Sequence, residues 1–196
     1  MKKKRILAMI LAVASCLSLA VGASAANTTT RKATDFKDYD AKAWYAEAVS
    51  AAVDNGLLYG KSSTIIDPNG DMTRAEMAAI INRSFGCYKT ADISQYKDVS
   101  KSKWYYKDVG LATQMGTYNG RSSSSMAPDA PITRQEAMTV VARALELDYD
   151  AYAKTDLSKF ADEKNISSWA LTYVRAMVGA DYIHGRGKVL APLDNI

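Results

Sequence analysis

The chain has 196 residues, with 25 Lys and Arg against 21 Asp and Glu and a formal charge of +4. The surplus sits in Lys2, Lys3, Lys4 and Arg5: residues 1–25 hold four basic and no acidic side chains, so the remainder balances at 21 against 21. The basic character belongs to a leader, which argues against a nucleic-acid-binding surface.

Behind those cations an apolar stretch runs from Ile6 to Val21 and ends in Ala23-Ser24-Ala25. A charged start, an apolar middle and small residues for cleavage predict a secretory signal over 1–25, with the membrane met only before cleavage. Two other readings of the leader are a retained anchor and a lipid-modified Cys16 after Val13-Ala14-Ser15; the polar interruptions and the apolar stub from Leu17 to Val21 weigh against them. Once the leader is gone Cys87 is the only cysteine, so no internal disulfide can form. The single histidine, His184, has no nucleophile motif around it, and Cys87 reads as a small packed side chain.

Residues 26–35 read as a mobile lead-in, and then the chain repeats itself. Phe36-Lys37-Asp38, Trp44, Gly60, Pro68 and Thr73-Arg74-Ala75-Glu76 return 60 positions later as Tyr96-Lys97-Asp98, Trp104, Gly120, Pro128 and Thr133-Arg134-Gln135-Glu136. A third copy follows as Phe160-Ala161-Asp162, Trp169, Gly185 and Pro192. The copies occupy 36–90, 96–150 and 160–196, and each is one supersecondary unit whose apolar face its neighbours must cover.

In each copy the pattern predicts two helices. The first spans about 42–55, with Asp40 as cap and Gly56 as stop; its counterparts span 103–115, before Gly116, and 167–180, where Asp181 takes the stop position. The second opens on a capping box, Thr73 with Glu76 and Thr133 with Glu136, and carries apolar faces through Met77, Ile80 and Ile81 or Ala137, Val140 and Val141. No alternating run supports a sheet. The expected fold class is all-α, as three tandem helix-loop-helix repeats.

The ordered set of an aromatic-x-Asp opening, Trp, Gly-x-x-x-Gly, Pro and Thr-Arg-x-Glu resembles the S-layer homology family, over residues 36–196. The resemblance implies three modules packed with pseudo-threefold symmetry around a central helix bundle, with grooves between them. It implies noncovalent attachment of an exported protein to the bacterial cell wall, through a secondary cell-wall polysaccharide or peptidoglycan-linked polymer bearing pyruvate ketals.

The residues make chemical sense of that role. Arg74 and Arg134 open a helix, where free N–H groups and the dipole favour an anion, and a guanidinium can grip a ketal carboxylate through two parallel bonds. Trp44, Trp104 and Trp169 offer flat faces to sugar C–H groups, and Gly60, Gly120 and Gly185 let backbone amides approach a ligand. By resemblance, Asp38, Asp98 and Asp162 complete the groove, contacting hydroxyls or holding the loop. Plainer roles stand beside these: capping for Thr and Glu, core packing for the Trp residues, helix stops for the glycines and turn bracing for the aspartates. On the functional reading, Arg74→Ala and Arg134→Ala are expected to weaken binding with helicity intact.

After Pro192 the spacing reaches Ile196 just before the next Thr-Arg would fall, so the third copy as given lacks its second helix and one groove is expected to be incomplete. No cofactor, metal cluster, nucleophile elbow or phosphate loop is read from 26–196. Besides the anchor, two alternatives are kept: the targeting portion of an exported polysaccharide- or peptidoglycan-acting enzyme with its catalytic part beyond 196, and a subunit of a surface lattice.

Overall fold

The computed structural model describes residues 31–196; the leader and the first part of the lead-in lie outside the described residues. Among the described residues five α-helices and two short 3-10 turns make up the regular structure, and no strand forms. The fold is all-α. The described residues divide into two compact units, the first ending at Gly70 and the second spanning Asp71–Ile196.

Described by itself, the first unit holds a 3-10 turn, Ala33–Asp35, and helix α1, Ala46–Asp54. Ala33, Phe36, Val53 and Ile66 form its small apolar cluster. Helix α1 starts four residues later than its periodicity suggests. The Asp40 carboxylate accepts the Lys42 N–H at 2.9 Å while its carbonyl accepts Ala43 N–H at 3.1 Å, so the chain spends this stretch in short turns. An Asp side chain competing for backbone N–H groups has this effect in general.

The second unit contains α2, Arg74–Phe85; α3, Tyr106–Gln114; α4, Arg134–Ala144; a 3-10 turn, Glu163–Asn165; and α5, Ser168–Gly179. Helix α2 packs chiefly on α3, and α4 on α5. The second helix of one repeat thus pairs with the first helix of the next. Met77 and Ile81 of α2, Val109 of α3 and Val140 of α4 share a core with Tyr105 and Ile132, whereas Ile80 is only partly covered. Helix α3 also starts late, at Tyr106, after a turn closed by Lys103 N–H on the Ser100 carbonyl at 3.1 Å. The stop positions behave alike: Gly116 has φ 72° and Asp181 has φ 64°, so an aspartate adopts the left-handed geometry that glycine supplies elsewhere.

One backbone feature ties the repeats together. Met72 N–H donates to the Ile196 carbonyl at 2.6 Å, Ile196 N–H to Ile132 at 3.2 Å, and Ile132 N–H to Met72 at 2.9 Å. Three segments, one from each copy, close a ring of hydrogen bonds just ahead of the helix starts.

Candidate functional site

Both capping boxes form. Thr73 N–H and Thr133 N–H donate to the Oε2 atoms of Glu76 and Glu136 at 2.8 and 2.9 Å, and the threonine oxygens accept the glutamate N–H groups. The remaining helix-start donors are not open to an anion, which corrects the expectation drawn from helix dipoles. Arg74 N–H is taken by the Ala130 carbonyl at 3.0 Å and Ala75 N–H by Pro128 at 2.9 Å; Arg134 and Gln135 are taken by Asp194 at 2.8 Å and Pro192 at 2.9 Å. A buried N–H must find a partner, and the loop of the following repeat provides it.

The Arg74 guanidinium is likewise committed inward. The residue is 4% exposed; Nε donates to the Met126 carbonyl at 3.0 Å, Nη1 to Glu136 Oε1 at 2.9 Å and Nη2 to the Asn119 carbonyl at 3.1 Å. Its charge also stands 5.1 Å from the centre of the Tyr118 ring. The arginine of the first Thr-Arg-x-Glu step therefore holds the glutamate of the second, 62 residues on. Glu136 is shared: Arg121 Nε reaches Oε1 at 2.9 Å and Arg121 Nη2 reaches Oε2 at 3.0 Å. Burial works to raise the Glu136 carboxyl, but the Arg121 and Thr133 donors and the nearby guanidinium charges outweigh it and hold it below its ordinary value.

Beside this cluster lies a cleft of about 520 Å³ whose walls include Arg74, Tyr118, Gly120, Arg121, Arg143 and Trp169. It brings together Arg74, Gly120 and Trp169 from the sequence-predicted residues. Three arginines face one carboxylate, Glu136, so the cleft carries a positive surplus. The Arg143 guanidinium lies 4.7 Å over the Tyr173 ring and donates to its hydroxyl at 3.0 Å, which holds it extended along the wall. The Tyr118 hydroxyl is buried and has no hydrogen-bond partner among the described residues, and burial pushes its pKa up, so it stays a neutral donor. Trp169 is 51% exposed.

The other predicted residues are placed elsewhere. Arg134 is half-buried, with Nε donating to the Leu190 carbonyl at 2.9 Å; burial lowers its pKa, as does the neighbouring Arg186 charge. Trp44 and Trp104 are 85% and 60% exposed, each edge-on to the tyrosine that follows it. Core packing is thereby removed as the reason for any of the three indoles.

Asp38, Asp98 and Asp162 turn out to brace loops. Asp38 accepts the N–H groups of Ile66 and Asp67 at 3.0 and 2.6 Å, Asp98 those of Met126 and Ala127 at 2.9 and 2.8 Å, and Asp162 those of Leu190 and Ala191 at 2.8 and 2.7 Å. In each pair the second residue has positive φ: 59° at Asp67, 53° at Ala127 and 51° at Ala191. The carboxylate offsets that local strain. The Ile66 amide, with that of Asp67, holds Asp38 below its usual range; at Asp98 burial acts upward, and the Ser125 hydroxyl with the two amides overcomes it.

The glycines of the motif are close-contact positions and not helix stops. A Cβ on Gly120 would stand 2.5 Å from the Tyr96 ring, one on Gly60 2.5 Å from Phe36 and one on Gly185 2.6 Å from Phe160. Each glycine is required by the aromatic residue that opens its own repeat. The Gly120 N–H is directed at the Tyr96 hydroxyl, 3.3 Å away.

Arg121, Arg143 and Tyr118 were missed in the sequence. A signal for the first was present: a cation follows the glycine in every copy, as Lys61, Arg121 and Arg186. A signal for Arg143 was present too, since Arg83 stands 60 positions before it in the last turn of the equivalent helix; Tyr118, which corresponds to Leu58 and Ile183, has no such repeat signature. Among the described residues no His, Cys, Asp and Glu cluster could hold a metal ion, and no helix is long and apolar enough to cross a membrane.

An all-helical tandem repeat with a basic, indole-bearing cleft between successive copies defines a binding module. Residues 35–78, 95–138 and 159–196 match the S-layer homology domain, and the chain belongs to that family. It is 35% identical over 137 residues to the Surface-layer 125 kDa protein of Lysinibacillus sphaericus, covering 68% of this chain and 12% of that one. It is 28% identical over 138 residues to the Cellulosome-anchoring protein of Acetivibrio thermocellus, covering 66% and 30%. It is 25% identical over 185 residues to the Endoglucanase of Bacillus sp. strain KSM-635, covering 93% and 19%. The chain spans less than a third of the length of each of these relatives. Family and relatives together place it among secreted, cell-surface proteins.

Proposed function

We propose that this chain anchors an exported protein noncovalently to the bacterial wall by binding a secondary cell-wall polysaccharide bearing pyruvate ketals. The carrying observation is the cleft that sets the exposed Trp169 beside Arg121 and Arg143. The indole takes a sugar face, the two guanidiniums take the ketal carboxylate and the unpartnered Tyr118 hydroxyl donates to a sugar oxygen. Arg74 acts through Glu136 and the cleft wall, as a positioning residue. Arg134 is kept as a direct ligand contact, and the exposure of Trp44 and of Trp104 suits each indole to sugar stacking within its own unit.

The ring of backbone bonds through Met72, Ile132 and Ile196 supports the pseudo-threefold packing of the repeats. The organisation we propose is an export signal over 1–25, a lead-in over 26–35 and repeats over 36–90, 96–150 and 160–196. The likeness to an endoglucanase, of which the chain spans 19%, favours a second reading in which the module targets a larger polysaccharide-acting enzyme.

The test is sedimentation of the chain with purified wall sacculi before and after mild acid removal of the ketals. Binding is expected to fall on acid treatment; equal binding by both preparations sinks carboxylate recognition. Arg121→Ala and Arg143→Ala should each weaken binding by about 1.5–3 kcal/mol, the worth of a charged hydrogen bond.

A further inference from the structure

We propose that the third repeat carries a second binding cleft of its own, for a saccharide bearing a carboxylate or a phosphate. The cleft measures about 510 Å³ and lies between the connector at 154–157, the 3-10 turn and helix α5. It shares no lining residue with the cleft at Trp169. Leu157, 4% exposed, lines it with Ile166 and Leu171, giving an apolar surface for a sugar ring. Lys154, Lys164 and Arg175 come to it from three separate segments.

None of those three cations is ion-paired among the described residues. The Arg175 Nε is buried and has no hydrogen-bond partner there. A buried N–H of a charged group left unmade is costly, and an anion in the cleft removes that cost. Of the two carboxylates in the lining, Asp156 is turned onto Ser158, accepting its N–H at 2.8 Å and its hydroxyl at 3.0 Å. Glu163 supplies an acceptor for a ligand hydroxyl.

The second repeat shows how the space arose. Arg175 lies 65 positions after Gly110, the same offset that relates Trp169 to Trp104. At Gly110 the connector closes on the helix: Ala91 N–H donates to the Gly110 carbonyl at 3.0 Å, and a Cβ would stand 3.2 Å from the Thr90 side chain. In the third repeat Thr155 N–H bonds Tyr152 at 3.0 Å instead, and the room beside the helix is lined by the arginine. The connector still closes on α5 at Gly179, where a Cβ would collide with Thr155 Oγ1, so the room is left beside Arg175, and a side chain that lines it unpartnered fits a ligand site better than a packing site.

The proposal rests on the anchoring reading only for the source of the sugar. Its test is an NMR titration of the ¹⁵N-labelled full chain with glucuronic acid, glucose 6-phosphate and glucose, following the amides of 154–175 and the Arg175 Nε–H. Saturable shifts there with either anionic sugar and none with glucose are expected, and the two anions separate a carboxylate source from a phosphate source. Arg175→Gln and Lys164→Ala should each weaken binding at least tenfold with the helical circular dichroism unchanged; should Arg175→Gln unfold, Lys164→Ala decides. No shift in this segment, equal shifts with glucose, or full affinity in Lys164→Ala overturns it. Loss of sacculus binding with these shifts intact would count against the anchoring reading and not against this cleft.

Discussion

Glu136→Gln is the most informative single perturbation, because that carboxylate closes a helix cap and joins two repeats at once. Its side chain is 11% exposed and that of its partner Arg74 5%, so the substitution leaves a buried guanidinium uncompensated. Breaking a buried pair from one side costs about 3–5 kcal/mol. The Arg121 contact, on a side chain 41% exposed, adds little, about 0–1 kcal/mol. Adding Arg74→Met removes the stranded charge, so the double variant should lose less than the two single losses added together, with a coupling of about 1–3 kcal/mol. Urea unfolding followed by circular dichroism on the four proteins measures this. Additivity to within about 0.5 kcal/mol, or a Glu136→Gln loss below about 1 kcal/mol, would refute the argument that Arg74 and Glu136 are each other's partners.

Four further outcomes follow from the same geometry. The Glu136 and Asp98 carboxyls lie below their ordinary values, 4.5 and 3.8, when folded, so their stabilisation is present above those values and is lost as pH falls through the lower folded ones; urea midpoints equal at pH 6 and pH 3 would contradict this. Gly120→Ala should destabilise by about 1–3 kcal/mol, since its Cβ meets the Tyr96 ring at 2.5 Å and the Ser122 and Ser125 carbonyls at 2.6 Å, and an unchanged melting temperature would show that the loop yields freely. Arg74→Ala is expected to lower stability as well as binding, so intact stability would return that arginine to the role of a free ligand grip. A fragment of residues 95–150 should be largely unfolded by circular dichroism, because it holds α3 and α4 without α2 and α5 on which they pack; a cooperative melt would show that one copy suffices.

The sequence made the repeats, the all-helical class and both capping boxes legible because each depends on local spacing. A threonine three positions before a glutamate closes its box whatever surrounds it, and Thr73 and Thr133 both do so. The helix starts at Ala46 and Tyr106 were not legible to the residue, since the Asp40 side chain and the Ser100 carbonyl divert backbone donors into turns that periodicity does not register. The role of Arg74 was misplaced for a physical reason. Free N–H groups and the dipole at the helix start pointed to an anionic ligand, whereas carbonyls of the next repeat take those donors and the carboxylate that pairs with the guanidinium stands 62 residues away. Arg143 recurs as Arg83 at the repeat spacing, but its place in the cleft depends on α4 packing against α5, which no motif spacing encodes, and Tyr118 has no counterpart in the other copies.

The same long-range pairing links stability to binding. The carbonyls of Pro128 and Ala130 cap α2, those of Pro192 and Asp194 cap α4, and each of these loops is held by an aspartate from the opening motif of its own repeat. A motif residue in one copy thus fixes the loop that satisfies the helix of the copy before it. The cleft at Trp169 takes walls from Arg74 of the first copy, Arg121 and Arg143 of the second and the indole of the third. Its geometry therefore exists only when consecutive copies are docked, and a substitution such as Asp98→Ala, far from any sugar, should reduce binding by loosening the loop that carries the Arg74 acceptor at Met126. The repeated landmarks are best understood as the docking code between copies and, on the proposed function, the residues that vary between copies, Tyr118 and Arg175 among them, as the source of ligand selectivity.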